Sequence, residues 1–127
     1  MLLVVGIGAL ACFLPFDMCG NDPVAEFVSA DTSAKLVVFQ RDCGATTDFS
    51  TQASLVKANT GPPALGGNLF VADTNHGIAP SGTGGGSELR ARWEGPKRLV
   101  LQHHVKARVF EAEQLLNGIE IRYETFP

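Results

Sequence analysis

Apolar residues alternate with polar ones in short runs along this chain, and glycine, proline or asparagine separates the runs. Glu88–Glu94 is the clearest case: Leu89, Ala91 and Trp93 alternate with charged neighbours, which predicts a strand with one buried face. Gly95-Pro96-Lys97 then turns the chain into Arg98–Val105, where Leu99, Leu101 and Val105 share a side. Phe49–Lys57 sets Phe49, Thr51, Ala53 and Leu55 against Ser50, Gln52, Ser54 and Val56, the pattern of a half-buried strand. Lys35–Arg41 differs. Leu36, Val38 and Gln40 point one way and Val37, Phe39 and Arg41 the other, so apolar groups on both faces predict a central strand covered on two sides. Val24–Ser29 and Asn68–Ala72 predict shorter strands, and Ala30-Asp31-Thr32-Ser33 a hairpin turn.

Asn117-Gly118, between Ala107–Leu116 and Ile119–Thr125, is a strong two-residue hairpin signal. Continued along both arms, it pairs Leu116 with Ile119, Gln114 with Ile121 and Ala112 with Tyr123. It also sets Glu113 opposite Arg122, and Glu111 opposite Glu124. Residues 58–67 and 73–87 predict loops, and Gly82-Thr83-Gly84-Gly85-Gly86 a flexible tip. That run lacks the Lys-Ser/Thr and the following helix of a phosphate-binding loop. About eight strands and no helix in the body give an all-β fold class, a small mostly antiparallel sandwich or rolled sheet.

The start of the chain is a different material. Met1–Phe16 carries no charged side chain. As a helix it would span about 24 Å, short of the ~30 Å hydrocarbon core. Residues 1–20 are therefore expected to be an apolar helix serving as export signal or membrane anchor, with 21–127 an extracytoplasmic β domain that opens at the turn signal Asn21-Asp22-Pro23. Three fates are open. Ala9-Leu10-Ala11 has the small-x-small pattern of a cleavage site, the segment could stay attached, or Cys12 or Cys19 could carry lipid. Bulky residues follow Cys12, and Met18 precedes Cys19 where a small residue is usual. Gly6-Ile7-Gly8-Ala9-Leu10-Ala11 fits a dinucleotide-binding fingerprint in spacing only, because Pro15 interrupts the helix the fingerprint needs.

The chain has a net charge of -3, which excludes nucleic acid as the main partner. The charge is unevenly spread. Residues 88–108 hold Arg90, Arg92, Lys97, Arg98, Lys106 and Arg108 against only Glu88 and Glu94. Such a block is either a solvated strand face or a surface for anionic lipid or an acidic partner.

Val37-Val38-Phe39-Gln40-Arg41-Asp42-Cys43-Gly44-Ala45-Thr46-Thr47 resembles a family of small, functionally uncharacterised bacterial envelope proteins, often predicted lipoproteins. The resemblance continues through Phe49-Ser50-Thr51-Gln52, Asn68-Leu69-Phe70-Val71-Ala72-Asp73, His76-Gly77 and Arg90-Ala91-Arg92-Trp93, most of the chain after Asn21. It implies an exported β domain behind an export signal, and no known activity.

Candidate chemistry sits in turns. Cys43 beside His76, with Asp73 behind, would resemble a thiol nucleophile, base and orienting acid. Cys43 could equally bridge to Cys19 or Cys12, and three cysteines allow one intrachain bridge at most. A metal site could draw on Cys43, Asp73, His76 and one of His103 and His104, which as strand neighbours point to opposite faces. No catalytic signature, metal-ligand spacing or cofactor motif is complete, so none of these is assigned. Arg41, Asp42, Arg90 and Arg92 form a candidate binding surface, and Cys19 a candidate for lipidation or a disulfide. The expectation is a non-enzymatic envelope protein of binding or structural role, attached to the membrane through its N-terminal segment or exported, with a protein partner possible. The alternatives are a small thiol-dependent enzyme on Cys43 and His76, or an inhibitor or immunity-type binding protein.

Overall fold

Alternating side chains need two environments, and two sheets packed face to face supply them. The computed structural model of the chain describes residues 19–44 and 49–127. The predicted apolar helix, the export or anchor segment up to residue 18 and Cys12 lie outside the described residues.

The described residues form an all-β sandwich, mostly antiparallel, of nine strands. One sheet has five strands in the order β1 (Gly20–Val28), β2 (Ala34–Asp42), β3 (Ser50–Lys57), β4 (Phe70–Asp73) and β7 (Arg108–Ala112). The other is ordered β5 (Leu89–Trp93), β6 (Arg98–His104), β9 (Ile119–Phe126) and β8 (Leu115–Leu116). The core lies between them. Leu36, Val38, Ala53, Leu55, Phe70 and Ala72 of the first sheet meet Leu99, Leu101, Ile119 and Ile121 of the second. Trp93 closes one side, donating its indole N–H to the Phe27 carbonyl at 2.8 Å.

β2 is buried on both faces, as its pattern predicts. Val37 and Phe39, which point away from the core, are 1 % and 0 % exposed. The connection 58–69 lies over this outer face. Asn21 donates to the carbonyls of Pro63 and Leu65, and Gly67 lies so flush on β3 that a Cβ there would come 2.7 Å from the Ala53 carbonyl oxygen. The same cover corrects the half-buried reading of β3. Thr51 to Leu55 are all buried, and Gln52 and Ser54 accept hydrogen bonds from the Gly67 and Asn68 amides. Asn68 extends the ladder with its side chain, which exchanges both hydrogen bonds with the Leu55 backbone.

Asn21-Asp22-Pro23 lies within edge strand β1 and is no turn. The register shifts between Pro23 and Ala25, which lets the edge accommodate proline. The turn at 30–33 forms as expected and is tied by Asp31, which accepts from the Ser29 and Ser33 hydroxyls and the Ser33 amide.

The Asn117-Gly118 hairpin pairs Leu116 with Ile119 as predicted and stops one pair later. Ile121 still donates its amide to the Gln114 carbonyl, but residues 108–112 have left for the first sheet, where Ala112 pairs with Phe70 and Glu111 with Val71. The expected Ala112–Tyr123, Glu113–Arg122 and Glu111–Glu124 pairs are therefore absent. β9 instead runs parallel to β6.

Gly82–Gly86 is folded back against the sandwich rather than projecting as a tip. Gly82 donates its amide to the Gly86 carbonyl at 2.7 Å, and Thr51 donates its hydroxyl to the Ser87 carbonyl at 2.6 Å. A Cβ on Gly86 would stand 2.6 Å from the Thr51 hydroxyl and 2.7 Å from the Gln40 amide nitrogen. Gly86→Ala is expected to lower the unfolding free energy by about 1–3 kcal/mol, the usual cost of overpacking. Gly61→Ala, where a Cβ meets open space, serves as the control in the same urea titration. Equal midpoints for both variants would contradict this packing.

Candidate functional site

The β1–β2 ladder runs to Gly20 opposite Asp42, and the next residues outward, Cys19 and Cys43, are joined by a disulfide of S–S 2.00 Å. The bond closes the free end of an edge strand. Bridges of this loop length contribute about 2–4 kcal/mol. Cys43 sulfur therefore carries no thiolate in this state, which removes the nucleophile from the Cys43–His76–Asp73 arrangement. The same bond occupies Cys19, whose sulfur cannot carry lipid at the same time.

One polar row crosses the outer face of the first sheet beside this bridge. Pairing runs Asn21 to Arg41, Arg41 to Ser50, Ser50 to Asp73 and Asp73 to Arg108. Arg41 donates to the Asn21 side-chain oxygen at 2.6 Å. Arg108 donates twice to the buried Asp73 carboxylate, at 2.6 and 3.1 Å, and the Asn75 amide donates to the same carboxylate at 2.8 Å. The guanidinium hydrogen bonds hold Asp73 below its ordinary pKa of 3.8, against the opposing effect of burial, with the His76 charge acting in the same direction as Arg108. Asp73 is thus bound to Arg108. His76 itself stands in the turn after β4, with a φ of 58°.

The other metal candidates are in the second sheet, on opposite faces. His103 lies against Phe70 on the core side, ring centroids 5.7 Å apart, and His104 meets the edge of Phe126 at 5.7 Å on the outer side. Among the described residues no three His, Cys, Asp or Glu side chains come together as a metal site.

The candidate binding residues divide between two surfaces. Arg41 and Asp42 belong to the end of the first sheet, whereas Arg90 and Arg92 lie on the outer face of the second. There the basic block meets its counter-charges. Arg92 donates to Glu94 and to both oxygens of Glu124, Arg90 to Glu88, and Arg122 contacts Glu94 and Glu124. Hydrogen bonds from Arg92 foremost, then Arg122 and Gln102, lower the Glu124 pKa to about 2. Arg90 also stacks over Phe126, 3.7 Å from the ring centroid. Val100, buried beneath this lattice, is 1 % exposed. A groove of about 600 Å³ at its end is lined by Arg98 and Glu120, 3.7 Å apart, and by Arg122 and Glu94, 3.4 Å apart. Its charges are matched internally.

A smaller recess, about 310 Å³, opens at the disulfide-bridged end of the sandwich between Asn21, Asp22, Gln40, Asp42, Phe49 and Gly84. Sequence reasoning missed it, although Gln40 on the inward face shared by Leu36 and Val38 was the available signal. No protein-family model matches the chain, and neither a curated protein nor a solved structure matches it.

Asp73 supplies a pH test. Its folded pKa is depressed, so its contribution to stability is present above the ordinary carboxylate range and is lost as pH falls through the folded value. Arg108→Ala is expected to cost about 1–2 kcal/mol at pH 7, discounted for the partial exposure of the arginine. That loss shrinks in acid, where Asp73 is neutral in both proteins. Urea denaturation at the two pH values reads it. A variant as stable as wild type at pH 7 would contradict the pairing.

Proposed function

We propose that this protein is a non-enzymatic domain of the bacterial cell envelope, exported or anchored through its apolar N-terminal segment, with a binding role. The observation that carries this reading is the Cys19–Cys43 disulfide, whose first cysteine follows the uncharged run Met1–Phe16 by three residues. Disulfides persist in oxidising compartments and are reduced in the cytosol. The uncharged run Met1–Phe16 supports delivery across or into a membrane. The resemblance of Val37–Thr47 to uncharacterised envelope proteins favours the same location.

A binding role is favoured over catalysis because the nucleophile of the thiol reading is oxidised and Asp73 is held by Arg108. It is favoured over a purely structural role because a buried amide borders an open recess at the bridged end. The basic face fits an acidic partner less well than its sequence suggests, because Glu94, Glu120 and Glu124 neutralise it.

Expression of the whole chain in a bacterium, followed by fractionation and thiol alkylation, tests the proposal. The expected result is protein in the envelope or exported fraction, with Cys19 and Cys43 protected from alkylation until reductant is added. Cytosolic protein with both cysteines freely alkylated would contradict it.

A further inference from the structure

Gln40 is the exception among the buried polar side chains. The residue is 6 % exposed, and its amide nitrogen is the one buried side-chain polar atom without a hydrogen-bond partner among the described residues. Its neighbours are satisfied: Thr51 donates to Ser87, and Gln52 both donates to Ser50 and accepts from Gly67. An orphaned amide costs stability, and an apolar side chain of the same size would avoid that cost.

The surrounding backbone is shaped to the amide. Gly84 and Gly86 approach so closely that a Cβ on either would lie 3.1 or 2.7 Å from the nitrogen, and Gly84 has a φ of +87°. A side chain at either position would crowd the amide. The recess of about 310 Å³ is the space that the Gln40 side chain borders.

The walls of that space are acidic and aromatic. Asp22 lies directly across the β1–β2 ladder from Gln40, and Asp42 across from Gly20, so all four share one face. Asp42 accepts the Gly44 amide at 3.0 Å, and neither carboxylate has a cationic side chain beside it among the described residues. Phe49, 45 % exposed, stands at the mouth, its ring 3.8 Å from where a Cβ on Gly85 would lie. Two unneutralised carboxylates repel an anion and attract a cation, and an aromatic face adds to that attraction. The orphaned N–H calls for an acceptor oxygen in the same ligand. A calcium ion would be met by the carboxylates and water but would leave the Gln40 N–H, a donor, without an acceptor.

We propose that the recess between Asp22, Gln40, Asp42 and Phe49 binds a small organic ammonium ion carrying a neighbouring hydroxyl or carbonyl oxygen. The ammonium sits between the carboxylates and, once the Gln40 side chain turns from the glycine loop toward the recess, the oxygen accepts from its amide. A volume near 300 Å³ suits a ligand the size of an amino sugar. This inference rests on the binding role proposed above and is independent of where the protein resides.

Nuclear magnetic resonance on the oxidised full chain tests it, with the Gln40 side-chain amide as reporter, assigned by its disappearance in Gln40→Leu. Glucosamine is the probe; glucose and calcium chloride are the controls. Glucosamine is expected to shift the Gln40 amide and the Gly84 backbone amide saturably at millimolar concentration, while glucose and calcium do not. Asp22→Asn and Asp42→Asn, both at exposed positions that leave the core intact, should each weaken binding about tenfold. Absence of a saturable Gln40 shift, an equal response to glucose, an unchanged affinity in either aspartate variant, or saturation by calcium in place of glucosamine would each overturn the proposal. A chain found in the envelope whose Gln40 does not respond overturns this site alone. A cytosolic chain that binds glucosamine through Gln40 overturns the location and leaves the site standing.

Discussion

Burial of β2 on both faces is the constraint from which the rest of the sandwich follows. One face meets the second sheet through Leu36 and Val38, and the other is sealed by the connection 58–69 over Val37 and Phe39. A strand this apolar cannot sit at an edge or face water on one side. Its neighbours β1 and β3 are therefore fixed in place, and the ends of all three strands are brought together. Cys43, Asp42 and Gln40 are the last residues of that strand or directly follow it. The disulfide, the recess and the polar row at this end are consequences of where β2 stops.

The second sheet answers a different requirement. Its inner face supplies Leu99, Leu101, Ile119 and Ile121 to the core, while its outer face carries charge of both signs. Arginines of β5 and glutamates of β9 meet across β6 because β9 returns parallel to it, which places Glu124 opposite Gln102 and within reach of Arg92. Exposed pairs of this kind contribute little singly. Together they cover Val100, so the lattice acts as much through the apolar surface it shields as through charge.

The legible parts of the sequence were those in which alternation and environment coincide. Leu89, Ala91 and Trp93 read correctly because one side of β5 meets the core and the other meets water. Gln52 and Ser54 read as solvent-facing because polarity ordinarily means exposure, yet a loop supplies their hydrogen bonds in water's place. The Asn117-Gly118 turn gave the Leu116–Ile119 pair, whereas nothing in its alternation indicated that residues 108–112 belong to the other sheet, since period two reports a face and not a partner. The basic block reads as a solvated strand face or an anion-binding surface, and what decides between them, the counter-charges Glu120 and Glu124, comes from a later strand. Among the site residues, the Cys19–Cys43 pairing was one of two open choices for Cys43, and the Gln40 recess depended on a glycine loop arriving from more than forty positions away.

β2, buried on both faces, is the most protected element, and native-state hydrogen exchange measures that most directly. The backbone amides of Leu36, Val37, Val38 and Phe39 are predicted to exchange only through global unfolding and to be the slowest in the chain. Exchange there as fast as in edge strand β7 would contradict it.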